Sequence, residues 1–166
     1  MTEVSIVKLS IRVCLKGRKD RAKEMMRILE EIRDALFLGK DIILCFHESE
    51  EDLKLIKNEA AQTGLGGEEI RNKILELMGF AFNEIVSVYR FSGLILIGGE
   101  TAFRLMDALK VKNIILKKEV MPGIPLGELV GGEWDRIPII TKAGGFGADD
   151  TIVKSLKYLH DEVDNL

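Results

Sequence analysis

A chain of 166 residues with 46% hydrophobic content is long enough to bury a full core as one domain. A net charge of −3 and a pI near 5.5, with Lys and Arg scattered rather than blocked, supply no field for nucleic acid and set that class of partner aside. No apolar run approaches a membrane span and no N-terminal signal pattern is present, so a cytoplasmic chain without a membrane partner is expected.

Val4 to Leu15 is rich in β-branched residues and partly alternates, which predicts one strand or a bent pair of strands ended by Lys16-Gly17-Arg18. Cys14 in this run, like Cys45 further on, lacks histidines at ligand spacing and reads as core packing rather than as a metal site. A helix follows, capped by Asp20, with Met25, Ile28, Leu29, Ile32 and Leu36 on its apolar face and Gly39 at the left-handed C-terminal position. Asp41 to His47 is a short buried strand. Ser49 and Asp52 have capping-box spacing for a second helix, whose buried face is Leu53, Ile56 and Ala60 and which ends at Gly64. The longest helical pattern runs from about Glu68 to Arg90, with Ile70, Ile74, Leu77, Met78, Ala81, Ile85 and Val88 inward and Gly79 weakening its middle.

Leu94 to Ile97 is a continuous apolar run bounded by glycines, the pattern of a strand buried on both faces. A helix starting near Thr101 then shows Ala102, Leu105, Met106 and Leu109 on one face. Val111 to Lys117 is a further strand. Met121-Pro122-Gly123-Ile124-Pro125-Leu126-Gly127 is expected to be a rigid loop, because prolines lack donors and glycines suit positive φ. Gly127 to Glu133 reads as a short strand and turn and Ile137 to Thr141 as the last strand. Asp149 caps a final helix with Ile152, Val153, Leu156 and Leu159 inward. The alternation predicts an α/β fold: a layered, mostly parallel sheet flanked by helices, as a single domain over 1–166.

The strand-to-helix turn Gly98-Gly99-Glu100-Thr101 exposes the first backbone N–H groups of a helix and lets a ligand approach the main chain. The same device is read again at Lys142-Ala143-Gly144-Gly145-Phe146-Gly147 ahead of Asp149. In a parallel sheet both turns face one crevice, where two anion cradles would suit a polyphosphate. Each turn is equally readable as a tight connection, since neither has Walker A or dinucleotide-fingerprint spacing. Lys142 is placed to meet phosphate oxygens, or is an ordinary solvated strand end. Glu100, Asp149 and Asp150 beside phosphates would require a divalent cation, and Mg²⁺ on Glu100 and Asp149 resolves the repulsion; otherwise these acids complement helix dipoles. His47 and His160 have no nucleophile arranged with them, and Trp134 either stacks on a base or covers core.

Three ordered motifs, Leu-Ile-Gly-Gly-Glu-Thr-Ala at Leu96 to Ala102, Met-Pro-Gly-Ile-Pro-Leu-Gly at Met121 to Gly127 and Thr-Lys-Ala-Gly-Gly-Phe-Gly at Thr141 to Gly147, carry a resemblance. The chain resembles the C-terminal nucleotide-binding domain of the four-carbon acid sugar kinase family, most clearly from about Ile85 to Leu159. The resemblance implies ATP-dependent phosphorylation of sugar acids such as threonate, erythronate or 3-oxotetronate derivatives. It makes Gly98, Gly99, Glu100, Thr101 and Ala102 the first ATP phosphate loop and Gly144 with its neighbours the second. Family members carry an N-terminal domain that binds the sugar acid and should supply the catalytic base, and nothing in this sequence corresponds to it. A serine contact at the start of the family's nucleotide domain also has no clear counterpart between Met1 and Lys19. The expectation is therefore ATP and Mg²⁺ binding with little kinase activity from this polypeptide alone, the sugar acid entering through a separate domain or subunit. A homo-oligomer fits the same reading. The alternative is a stand-alone, non-catalytic nucleotide- or phosphometabolite-binding module.

Overall fold

The computed structural model describes residues 3–47 and 50–164. The chain groups into two compact units, Met1–Ala81 and Phe82–Leu166. The first contains strand β1 (Val4–Ser10), a 3-10 turn (Ile11–Leu15), helix α1 (Arg18–Phe37), strand β2 (Asp41–His47) and helix α2 (Glu50–Thr63). Helix α3 (Gly67–Val88) crosses the boundary. The second contains β3 (Leu94–Ile97), α4 (Gly99–Ala108), β4 (Asn113–Met121), β5 (Ile124–Val130), β6 (Pro138–Lys142) and α5 (Thr151–Val163).

In the first unit β1 and β2 pair in parallel, Val4 opposite Asp41, the pairing expected of a strand-helix-strand crossover. Alternation along β1 buries Val7 and Leu9 while Val4 and Ile6 remain exposed, and Met25, Ile28 and Ile32 of α1 are buried. The anticipated strand over Val4 to Leu15 stops at Ser10, and the rest is the 3-10 turn. Helix α1 is preceded by Gly17 rather than capped by Asp20, which lies within its first turn, and Gly39 takes φ +67° as expected of a helix stop. Asp52 is buried and pairs with Arg12, while Leu53, expected inward, is partly exposed. Ser49 lies outside the described residues, as do the side chains of Cys14 and His47. Cys45 is half-buried. Burial pushes the Glu24 carboxyl up, but hydrogen bonds from the Arg27 guanidinium (2.6 Å) and the Ser10 N–H (2.8 Å) outweigh it and hold the pKa below its ordinary 4.5.

Helix α3 is unbroken through Gly79, and its 22 residues span about 33 Å. Burial of Leu77, Met78, Ala81, Phe82, Ile85 and Val86 offsets the glycine's propensity cost of about 1 kcal/mol. Val88, expected inward, is exposed.

The second unit is built on a four-stranded sheet of order β3-β6-β5-β4. Strands β3 and β6 are parallel, whereas β5 runs antiparallel to both neighbours, so parallel pairing holds in β1–β2 and β3–β6 and gives way to a mixed sheet beyond β6. The reason lies in Met121 to Gly127. This segment is not a loop: only Pro122 and Gly123 turn, and the chain reverses directly from β4 into β5. Gly123 takes φ +73° there. Pro125 is tolerated because it lies outside the β5–β6 ladder, which begins at Leu126, and beside an irregularity in the β4 pairing. One face of the sheet buries Val120, Ile124, Leu126 and Ile140 against Leu159 of α5. Gly93 admits that helix, since a Cβ there would lie 2.8 Å from the Leu159 side chain.

Candidate functional site

The register of β3 and β6 determines what can meet. Ile97 is the partner of Lys142, so the two parallel strands end side by side, and the Gly98 N–H donates to the Lys142 carbonyl at 2.9 Å. The stretches Gly98 to Ala102 and Lys142 to Gly147 therefore leave the same sheet edge from adjacent strands.

The first is a direct strand-to-helix turn. Gly98 has φ +94° and ψ 125°, a backbone conformation open only to glycine, and Gly99 already begins α4. The first helical bond is from the Ala102 N–H to the Gly98 carbonyl at 2.8 Å, which leaves the N–H groups of Gly99, Glu100 and Thr101 ahead of the helical ladder. No side chain caps this helix at Gly98. Gly99 and Glu100 are exposed, Thr101 and Ala102 half-buried, and nothing lies within 4 Å of a Cβ placed on Gly99. The helix start therefore lies at the surface, where the positive end of the peptide dipoles is directed.

The second stretch is not a repeat of the first. Residues 143–150 separate β6 from α5, and the final helix begins at Thr151 after Asp150, with no side-chain hydrogen bond capping it. Asp149 is therefore a loop residue, not the helix cap. Ala143 to Phe146 form a turn closed by the Phe146 N–H donating to the Ala143 carbonyl at 3.3 Å, with Gly144 and Gly145 at its centre. The Lys142 ammonium donates to the carbonyls of Ala143 (3.0 Å) and Gly144 (2.8 Å). A trans peptide points C=O and N–H in opposite directions, so the Gly144 and Gly145 N–H groups are turned away from that ammonium. Lys142 thus organises its own loop in this conformation, a role that residue type and position did not disclose. Gly147 takes φ +101°, and a Cβ there would lie 2.7 Å from Thr151 Oγ1, so glycine lets the loop close onto the start of α5.

Acidic side chains border both stretches, but among the described residues no group of three or more His, Cys, Asp or Glu side chains forms a metal site. Glu100 lies in the first turn of α4, while Asp150 pairs with Lys154 at 2.8 Å. A donor set of one or two carboxylates is nevertheless what Mg²⁺ takes when phosphates complete its shell. Trp134 is packed inward. It is 4% exposed, stacked on Phe91 at 6.4 Å between ring centres, with the Arg90 guanidinium 5.0 Å from its ring. Arg90 also pairs with Glu133 at 2.6 Å and holds that carboxylate's pKa below its ordinary value.

The family model described as the nucleotide-binding C-terminal domain matches residues 1–152, and the chain belongs to that family. Among curated proteins it is 30% identical over 139 residues to a D-threonate kinase of Salmonella typhimurium, an alignment covering 84% of this chain and 33% of that protein. It is 31% identical over 109 residues to a D-threonate kinase of Bordetella bronchiseptica, covering 66% and 26%. With a D-erythronate kinase of Heliobacterium modesticaldum it shares 26% over 146 residues, covering 87% and 33%. These relatives are four-carbon acid sugar kinases, and the chain spans about a third or less of the length of each. Among solved structures, a Haemophilus influenzae protein superposes with a TM-score of 0.67 at 16% identity, over 95% of this chain and 35% of that one. A Bordetella bronchiseptica protein, solved as a domain-swapped dimer with bound citrate, gives 0.59 at 21%, over the same shares. Both support the fold. No described helix is long and apolar enough to cross a membrane.

Proposed function

We propose that this chain is the ATP-binding part of a four-carbon acid sugar kinase, which phosphorylates an acid such as threonate or erythronate when combined with a domain or subunit that holds the acceptor. The observation that carries the reading is the adjacency of an exposed helix start at Gly99 and a glycine turn at Gly144, imposed by the Ile97–Lys142 register. Oriented N–H groups from two loops on one sheet edge suit a triphosphate, whose charge they meet without reorganisation. The names of the relatives supply the acceptor class.

In this reading Gly98, Gly99, Glu100, Thr101 and Ala102 face one part of the phosphate chain, and Ala143 to Gly147 another. Glu100 and Asp149 would hold Mg²⁺, which would supply neutralisation of the phosphate charge. The chain's own groups position the donor; the acceptor hydroxyl and its base come from elsewhere, which makes the isolated chain a binder with little turnover.

Calorimetric titration with ATP and Mg²⁺, followed by assay of threonate and erythronate phosphorylation after addition of a sugar-acid-binding partner, tests this. Binding followed by partner-dependent turnover is expected. Binding with persistent inactivity would identify a non-catalytic module. Preferential binding of a sugar phosphate over ATP would remove the nucleotide assignment.

A further inference from the structure

The motif Met121 to Gly127 has no part in the function as stated, yet it lies against the second glycine loop. A Cβ built on Gly123 would lie 2.7 Å from Phe146 Cε1 and 3.0 Å from Cζ, so the ring rests on the hairpin turn where only glycine leaves room. The turn itself is anchored: the Gly123 N–H donates to Glu119 Oε1 at 2.6 Å, and the next residues inward, Ile124 and Leu126, are each 1% exposed in the core. The other described contacts of the loop lie at its two ends, the Lys142 ammonium on the Ala143 and Gly144 carbonyls and Gly147 against Thr151. Nothing lies within 4 Å of a Cβ placed on Gly144 or on Gly145.

We infer that the Met121–Gly127 hairpin positions the second glycine loop, with Gly123 as the seat for the Phe146 ring. Between the β6 end at Lys142 and the seated ring at Phe146 lie only Ala143, Gly144 and Gly145, in a turn already closed by one hydrogen bond. Fixing both ends removes most of the conformational freedom that two adjacent glycines would otherwise keep, and so orients their N–H groups before a ligand arrives. Phe146 is 50% exposed, more than a core-filling ring requires, which fits contact with a turn rather than burial. The consequence for binding rests on the nucleotide reading above; the seat does not.

The test uses Gly123→Asn, Phe146→Ala and the double variant. Asn tolerates the left-handed backbone at Gly123 but carries the intruding Cβ, so it separates the seat from simple backbone strain. In the unliganded chain, Gly123→Asn should speed hydrogen exchange at the Phe146 amide by about tenfold while leaving the amides of β5 and β6 unchanged. Affinity for ATP with Mg²⁺ should fall by about tenfold in each single variant. The double variant should bind no worse than Phe146→Ala alone, because the Cβ has nothing left to displace. Unchanged exchange at that amide, or affinity losses that multiply in the double variant, would overturn the inference. Should Gly123→Asn fail to fold, Phe146→Ala decides: unaltered exchange at residue 146 sinks the seat. A wild-type chain that does not bind ATP removes the nucleotide reading and leaves the exchange result to judge the hairpin.

Discussion

Gly99→Ala separates the fold from the site more cleanly than any other substitution here. Gly99 is the first residue of α4, lacks a positive φ, and has open space where a Cβ would project. Replacing glycine by alanine at a compatible helical position stabilises by ~0.4–1 kcal/mol, chiefly by restricting the unfolded chain. In a chain of this size that raises Tm by about 1–4 °C. The same methyl group stands where the phosphate chain would approach the N–H groups ahead of the helical ladder. Loss of one hydrogen bond to a charged group costs ~1.5–3 kcal/mol, or roughly ten- to hundredfold in affinity. The expected variant is therefore slightly more stable and a much weaker binder, read by thermal unfolding and by titration with ATP and Mg²⁺. Gly98→Ala behaves differently. Its φ of +94° imposes ~1–3 kcal/mol of backbone strain, so stability and binding should fall together. A folded Gly99→Ala chain that binds ATP within about twofold of the wild type would refute a backbone phosphate contact at this helix start.

Three further outcomes follow from the packing and the charges. Gly127→Ala places a Cβ 2.7 Å from the Ile115 carbonyl oxygen, a backbone atom that cannot swing aside, and should lower stability by ~1–3 kcal/mol in urea unfolding. Trp134→Ala removes a buried ring stacked on Phe91 and should cost ~3–5 kcal/mol by the same measurement; an equally stable variant with weakened nucleotide binding would instead restore a base-stacking role for this residue. Glu24 has a folded pKa below its ordinary 4.5, so its contribution is complete above that value and lost as pH falls through the lower folded one. Stability measured across this acid range should decline less steeply in Glu24→Gln than in the wild type, and parallel pH profiles would contradict the assignment.

Elements whose patterns arise from local burial were legible from residue order. Leu94 to Ile97 is a strand because four apolar residues bounded by glycines leave little alternative, and Gly39 stops α1 because it admits a positive φ. Local rules failed where a neighbour supplied what the rule assumed missing. Pro122 and Pro125 suggested a loop because they cannot donate, but one lies in a two-residue turn and the other beyond the end of the β6 ladder, where no donor is needed. Asp149 resembled a helix cap by residue type, yet the chain enters α5 only at Thr151. Trp134 could not be assigned between ligand and core until Phe91 and Arg90 were found against it.

By itself the sequence determined that two glycine-rich stretches follow apolar strands, because that is recorded in adjacent residues. Its pattern indicated that both turn directly into a helix, which holds for Gly98-Gly99 and not for Gly144-Gly145, where a loop intervenes before Thr151. Only the tertiary structure decided that these strands are parallel neighbours, since the pairing of Ile97 with Lys142 depends on contacts between residues far apart in the chain. It also decided that Lys142 binds its own loop's carbonyls and that Phe146 rests on Gly123. A side chain's partner is a property of folded space, and residue type specifies only what that partner is able to offer.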